Sequence, residues 1–237
     1  GVGGSESHFT NAENRLIQLL PRKDRLRLTA LCKRVDLKPA DILSHAGKRT
    51  RYVYFPVRGV VSLITQTQDS PTVEVGMVGR EGMIGAHLAL GVQVSPTESR
   101  VQCEGEALRA DAADFKSELS RTTSLQTVLH RYVYVRMAQL ATSCACVQFH
   151  DIGRRLARWL LMSQDRTGSD CLCVTQECLA STLGVRRVTI TSAAGQLRRQ
   201  GLIEYHRGQL MVLDRPGLEA AACGCHQADK QAYELQL

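Results

Sequence analysis

Residues 175–203 read TQECLASTLGVRRVTITSAAGQLRRQGLI, a stretch that parses as two short helices around one glycine. Thr175 is a helix-capping residue type, and Glu177 falls near the positive end of the helix that would follow. Leu179, Ala180 and Leu183 supply the buried side of that helix, Ala180 being small where two helices cross closely. Gly184 permits a tight turn. Val185 and Ile190 anchor a second helix, which leaves Arg186, Arg187, Thr189 and Ser192 facing outward near its start. This is the pattern of a helix-turn-helix whose second helix meets base edges in the major groove. Arginine pairs with guanine in bidentate fashion, while Thr and Ser reach bases or phosphates. Thr175, Gln176 and Arg198 complete the expected DNA-contacting set.

The chain then continues Ile203 to Val212 as a hairpin turning at Arg207-Gly208, a wing whose Arg207 would meet the phosphate backbone. Charge supports this reading. The 237 residues carry a formal net charge of +7, and the window 186–203 holds four arginines and no acid. Such local concentration is the footprint of a polyanionic partner. A hydrophobic fraction of 43% with 22% charged residues is ordinary for a globular protein, and no run reaches the roughly 18 apolar residues of a membrane span. The opening Gly1-Val2-Gly3-Gly4-Ser5 lacks a basic and apolar leader, so a cytoplasmic protein with a flexible arm is expected. Nine cysteines, an odd number partly placed in apolar segments, suit reduced thiols better than a disulfide framework.

Working back from the helix pair, the segment 152–165 is a helix with Leu156, Trp159 and Leu160 on one face and Arg154, Arg155 and Arg158 elsewhere. Before it, residues 124–148 contain neither Gly nor Pro. There Val133, Met137, Leu140, Cys144 and Val147 recur at steps of 4, 3, 4 and 3, a heptad stripe that wants a partner helix. Further back the texture turns to β. Runs 52–55, 60–65, 72–78 and 101–110 are separated by turn signals at Pro56 with Gly59, Asp69-Ser70-Pro71, Gly91, Pro96 and Gly105, which predicts an antiparallel roll. Residues 11–33 predict short helices broken at Pro21. The expected class is α+β, with an effector or sensor domain over 1–120, a dimerisation helix over 121–150 and a winged helix-turn-helix domain over 151–237.

The chain resembles the Crp/Fnr family of bacterial transcription regulators from about Leu16 to Cys225. The resemblance rests on YFPVRGVVSL (54–63), VGREGMIG (78–85), RLARWLLM (155–162) and the helix-turn-helix. It implies a jelly-roll-like cyclic-nucleotide-binding fold, a homodimer on a palindromic double-stranded DNA site, RNA polymerase as a partner of an activating member, and a small-molecule effector. By position Arg187 looks like the main base-reading arginine, whereas the Glu that often follows it is Val188 here. The effector cassette would fall on Gly82, Gly85, Ala86, His87 and Thr97; Tyr132 and Arg136 of the long helix would face it or, as the preferred reading, serve packing. In cyclic-AMP-binding members a Gly-Glu pair holds the ribose and an Arg-Ser or Arg-Thr pair the phosphate. Gly85-Ala86 and Pro96-Thr97 stand there instead, and Arg100 lies about three residues away. An anionic phosphate buried without countercharge is costly, so cyclic AMP is not expected.

An oxygen-sensing iron–sulfur cluster needs an N-terminal cysteine group, and only Cys32 precedes Cys103. Three Cys-x-Cys pairs remain: Cys144/Cys146, Cys171/Cys173 and Cys223/Cys225. They lack zinc-ribbon spacing, so no cofactor or metal ligand is assigned. The alternative is a metal- or redox-responsive DNA-binding sensor built on these thiols. No catalytic motif is present, and a regulator rather than an enzyme is expected.

Overall fold

The computed structural model describes residues 13–206 and 208–237; the arm expected over residues 1–5 lies outside the described residues. Helices α1 (Arg15–Gln18) and α2 (Arg22–Ala30) lead into strands β1 (Lys33–Leu37), β2 (Ile42–Ser44), β3 (Tyr52–Thr65), β4 (Val73–Val78) and β5 (Glu98–Asp111). Then come α3 (Ala112–Arg121) and α4 (Thr123–Phe149), followed by α5 (Ile152–Thr167), β6 (Cys171–Leu172), α6 (Gln176–Leu183) and α7 (Arg187–Arg199). The chain closes with β7 (Ile203–His206), β8 (Gln209–Val212), α8 (Arg215–Ala221) and α9 (Cys225–Gln236). The first sheet runs β1-β5-β3-β4 with β2 also on β5, every pairing antiparallel; the second runs β6-β8-β7.

One expectation needs correction. Runs 52–55 and 60–65 are not separate strands: β3 passes through Pro56 and Gly59, absorbing them as register shifts against β5. Proline tolerates such a bulge because the ladder hydrogen bond it cannot donate is already interrupted there. Gly59 takes φ +88°, and a Cβ on Gly105 would collide with the backbone of Arg58, so both glycines of the supposed turns serve the bulge. Strands β1 and β2 were not anticipated; β1 exposes Lys33, Arg34 and Asp36, half-buries Val35 and buries Leu37, so only two apolar residues marked it.

Packing joins the two halves. The face of β3 turned to the helices buries Val53 and Phe55 with Phe115 of α3 and Leu125, Leu129 and Tyr132 of α4. Another core runs from Val60 and Met77 of the sheet through Leu156, Trp159 and Leu160 of α5 to Leu179, Ile190 and Leu197 of the helix pair. Arg158, set apart from that apolar face in the sequence, is nonetheless buried, paired with Asp229 of α9.

Candidate nucleic-acid interface and sensor region

Helix α6 starts at Thr175, whose hydroxyl accepts from the Cys178 amide at 3.1 Å. It ends at Gly184 in the left-handed region (φ +66°), a conformation that favours glycine. The turn closes through the Val185 amide donating to the Ala180 carbonyl at 3.0 Å. Ile190, Ala193, Ala194 and Leu197 bury one side of α7. The other side presents Arg186, Arg187, Val188, Thr191 and Ser192 as exposed residues, with Thr189 half-buried. Arg186 and Arg187 thus stand at the N-terminal end of α7, where backbone N–H groups add positive potential. Glu177 lies 3.8 Å from Arg187 across solvent, an exposed pair that costs little to part.

Thr191, absent from the expected contact set, sits one turn after Arg187. Its hydroxyl donates to Gln176 Oε1 at 2.7 Å and to the Arg187 carbonyl at 3.1 Å. It ties the half-buried Gln176 to the α7 surface, and the i, i+4 relation to Arg187 was the available signal. Arg198 is exposed in the last turn of α7. The β7–β8 hairpin is formed, with Gly208 at φ +81°; Arg207 itself lies outside the described residues.

The sensor side is less open than the cassette residues suggested. Gly85 adopts φ +95° and caps a 3₁₀ turn, Ala86–Leu90. The Tyr132 ring is buried, with its hydroxyl against the α-carbon of Gly82, where any Cβ would clash. Arg136 turns instead to β4, lying over Gly76 and donating to the Met77 carbonyl at 3.2 Å. His87 Nε2 is 2.7 Å from the Thr50 hydroxyl, and burial holds its pKa below the ordinary value. The Thr97 carbonyl accepts from Ser95, and Arg100 pairs with Glu98 at an exposed site. Of the seven expected cassette residues, Gly82 and Tyr132 meet; His87 and Arg136 make separate bonds.

The loop 78–85 is bound into the rest of the molecule. Both oxygens of Glu81 accept from the Gly79 amide at 3.1 Å, and Arg166 of α5 donates to Glu81 at 2.8 Å. The Tyr233 hydroxyl of α9 donates to the Glu81 carbonyl at 2.7 Å. A second link runs through Glu74 of β4, which accepts from Ser62 at 2.6 Å and from the Trp159 indole of α5 at 2.9 Å. Desolvation pushes the Glu74 carboxyl up from 4.5 to about 7, overriding those two hydrogen bonds. A pKa raised by folding means that Glu74 contributes full stability below its unfolded value and loses it as pH rises through the folded value. Unfolding titrations should show a fall of about 2–3 kcal/mol between pH 4.5 and 7 from this group, and Glu74→Gln should flatten that window. An unchanged pH dependence in the variant would refute the assignment.

The cysteine pairs regroup in space. Cys146 of α4 faces Cys223, sulfur to sulfur, at 3.6 Å, and Cys225 faces His150 Nδ1 at 3.5 Å. These four ligand atoms lie within 4.8 Å of one another. Cys144 is exposed and stands apart, as does the pair Cys171/Cys173 near Gln209. Pairing cysteines by sequence adjacency missed this group. The signal was Cys146 four residues before His150, in the last turn and cap of α4. Among the described residues no helix is long and apolar enough to cross a membrane.

Comparison with known proteins places this arrangement. A cyclic nucleotide-binding domain model matches residues 34–122, and a Crp-like helix-turn-helix domain model matches residues 154–221. Together they span well over half of the chain. The global nitrogen regulator of Nostoc sp. is 23% identical over 175 residues, covering 70% of this chain and 78% of that protein. A transcriptional regulator of the crp/fnr family from Eubacterium rectale superposes with a TM-score of 0.67 at 16% identity, covering 87% of this chain and 96% of that one. A CRP-family transcriptional regulator from Thermus thermophilus gives a TM-score of 0.67 at 18% identity, over 79% and 96%. With both domain models in family order, joined by one long helix and folded as in these regulators, the chain belongs to the Crp/Fnr family of transcriptional regulators.

Proposed function

We propose that this regulator binds a palindromic duplex site as a homodimer in the cytoplasm, without catalysing a reaction. The observation that carries the proposal is the exposed N-terminal end of α7, where Arg186, Arg187 and Ser192 are free to enter a major groove. An activating output would add RNA polymerase as a partner. The dimer reading draws on the exposed apolar side of α4. The cassette serves an effector other than cyclic AMP, or none. What supports this is chemical: Ala86 offers no carboxylate to a ribose, Thr97 no countercharge to a phosphate, and the Tyr132 ring occupies the space beside Gly82.

Selection of bound duplexes from a random pool, with and without a fraction of cell metabolites, tests site, symmetry and ligand dependence together. A non-palindromic consensus would refute the dimer, and a site recovered only with cyclic AMP would refute the cassette reading. On the selected site, Arg187→Ala should cost about 1–3 kcal/mol, roughly 5- to 150-fold, and relax preference at one base position. Binding within twofold of the parent protein would remove Arg187 as the base reader.

A further inference from the structure

We propose that Cys146, His150, Cys223 and Cys225 form a tetrahedral site for one zinc-type divalent cation. The ion would pin the C-terminal segment to the end of the long helix α4. The site goes beyond the DNA-binding reading and does not depend on it.

Geometry selects the ion class. With Zn–S near 2.3 Å and Zn–N near 2.0–2.1 Å, ligand atoms at the corners of a tetrahedron stand about 3.5–3.8 Å apart. The Cys146–Cys223 and Cys225–His150 separations of 3.6 and 3.5 Å fall on those edges, and no pair exceeds 4.8 Å. A four-iron cluster places each thiolate on its own iron, farther apart than this. A disulfide between Cys146 and Cys223 would require the sulfurs to close to about 2.05 Å. It would also leave Cys225 and His150 without a role.

The protein around the four groups suits a charged centre. Cys146 and Cys223 are buried, and His150 and Cys225 half-buried, so water has limited access. On binding, each of the three thiols loses its proton to solvent, and neutral imidazole ligates through Nδ1. Three thiolates on a dication leave one net negative charge, and the guanidinium of Arg158 lies beside the Cys146 sulfur to offset it. The donors come from two segments 77 residues apart, so the ion closes a large loop. It fixes the start of α9, the same helix whose Tyr233 holds the carbonyl of Glu81.

The test is metal titration of the reduced full-length protein against a chromophoric chelator, with cobalt(II) as a spectroscopic probe. One ion per chain is expected. Cobalt should show tetrahedral ligand-field bands together with thiolate-to-cobalt charge transfer. Cys225→Ser should weaken binding on the order of 100-fold or more, while Cys144→Ser, outside the group, leaves it unchanged. Amide exchange across residues 225–236 should be slower with the ion than without it. Absence of a stoichiometric ion in the unmodified protein overturns the proposal whatever the variants do. So does iron with inorganic sulfide, a Cys146–Cys223 disulfide that survives treatment with reductant, or metal affinity indifferent to Cys225→Ser. Operator binding measured on the same samples is a separate readout: its loss bears on the DNA-binding reading, and absence of the ion bears on this site.

Discussion

Replacing Met137 and Leu140 together by glutamate should yield a folded monomer that has lost high-affinity binding to its operator. The helix concerned, α4, has 27 residues and is therefore about 40 Å long. One side is already used: Leu125, Leu129, Tyr132 and Val135 are buried. On the other side Met137 is 63% exposed, Leu140 40% and Val147 61%, with Cys144 also exposed and Val133 half-buried. A continuous apolar stripe of this kind is uncommon on a monomer. Its 4, 3, 4, 3 spacing suits a second copy of the same helix, because a two-fold axis brings identical residues together. Glutamates at 137 and 140 would place four carboxylates in that seam and oppose its desolvation. A regulator reading two half-sites then keeps only one, and affinity for the full site should fall on the order of 10³-fold. Thr127→Glu, an exposed position off the stripe, is the control for folding and for charge. Sedimentation and gel-shift titration decide the matter. A double variant that stays dimeric moves the seam elsewhere, and a monomer with undiminished operator affinity removes the dimer from the mechanism.

Local chemistry explains what the sequence made legible. The helix-turn-helix was readable because each of its devices is short-range: the Thr175 cap, the glycine at 184, and apolar positions at helical spacing. The heptad stripe of α4 was readable for the same reason. Failures came where a distant partner decides the outcome. The Pro56–Gly59 segment looks like a turn until β5 is placed beside it, when a bulge becomes the lower-energy solution. The burial of Arg158 is not legible until Asp229 arrives from a helix 71 residues later. The thiol group was hidden likewise, since half of it lies on α4 and half beyond α8. In the sensor region the sequence indicated the turn at Gly85 and packing as a role of Tyr132 and Arg136, but not that Gly82 and the Met77 carbonyl would be their partners. Those side chains lie on another element, and their reach depends on how α4 packs against the sheet.

Asp229→Asn should cost about 3–5 kcal/mol of stability, whereas replacing Arg158 and Asp229 together by Met and Leu should be close to neutral. Arg158 is 8% exposed and Asp229 6%. The guanidinium also donates to Ser143 at 3.1 Å, but among the described residues Arg158 Nε and Asp229 Oδ1 have no hydrogen-bond partner. A buried ion pair left with unsatisfied polar atoms barely offsets its own desolvation. Consistent with that, burial raises the pKa of the Asp229 carboxyl even beside an arginine. With no ion at the neighbouring thiols, removing the acid alone strands a guanidinium that cannot shed its proton. Removing the base alone is milder, because an isolated carboxyl can become neutral by taking one up. Arg158→Met should therefore cost less than Asp229→Asn, and the gap should narrow with rising pH as protonating Asp229 becomes harder. Urea titrations of the two singles and the double, at fixed metal content, give the coupling energy directly. Simple additivity of the single costs would show that the two charges do not depend on each other. Strong coupling with a near-neutral double would show that the pair contributes little net stability, and that its role lies in the geometry it imposes where α5, α4 and α9 meet.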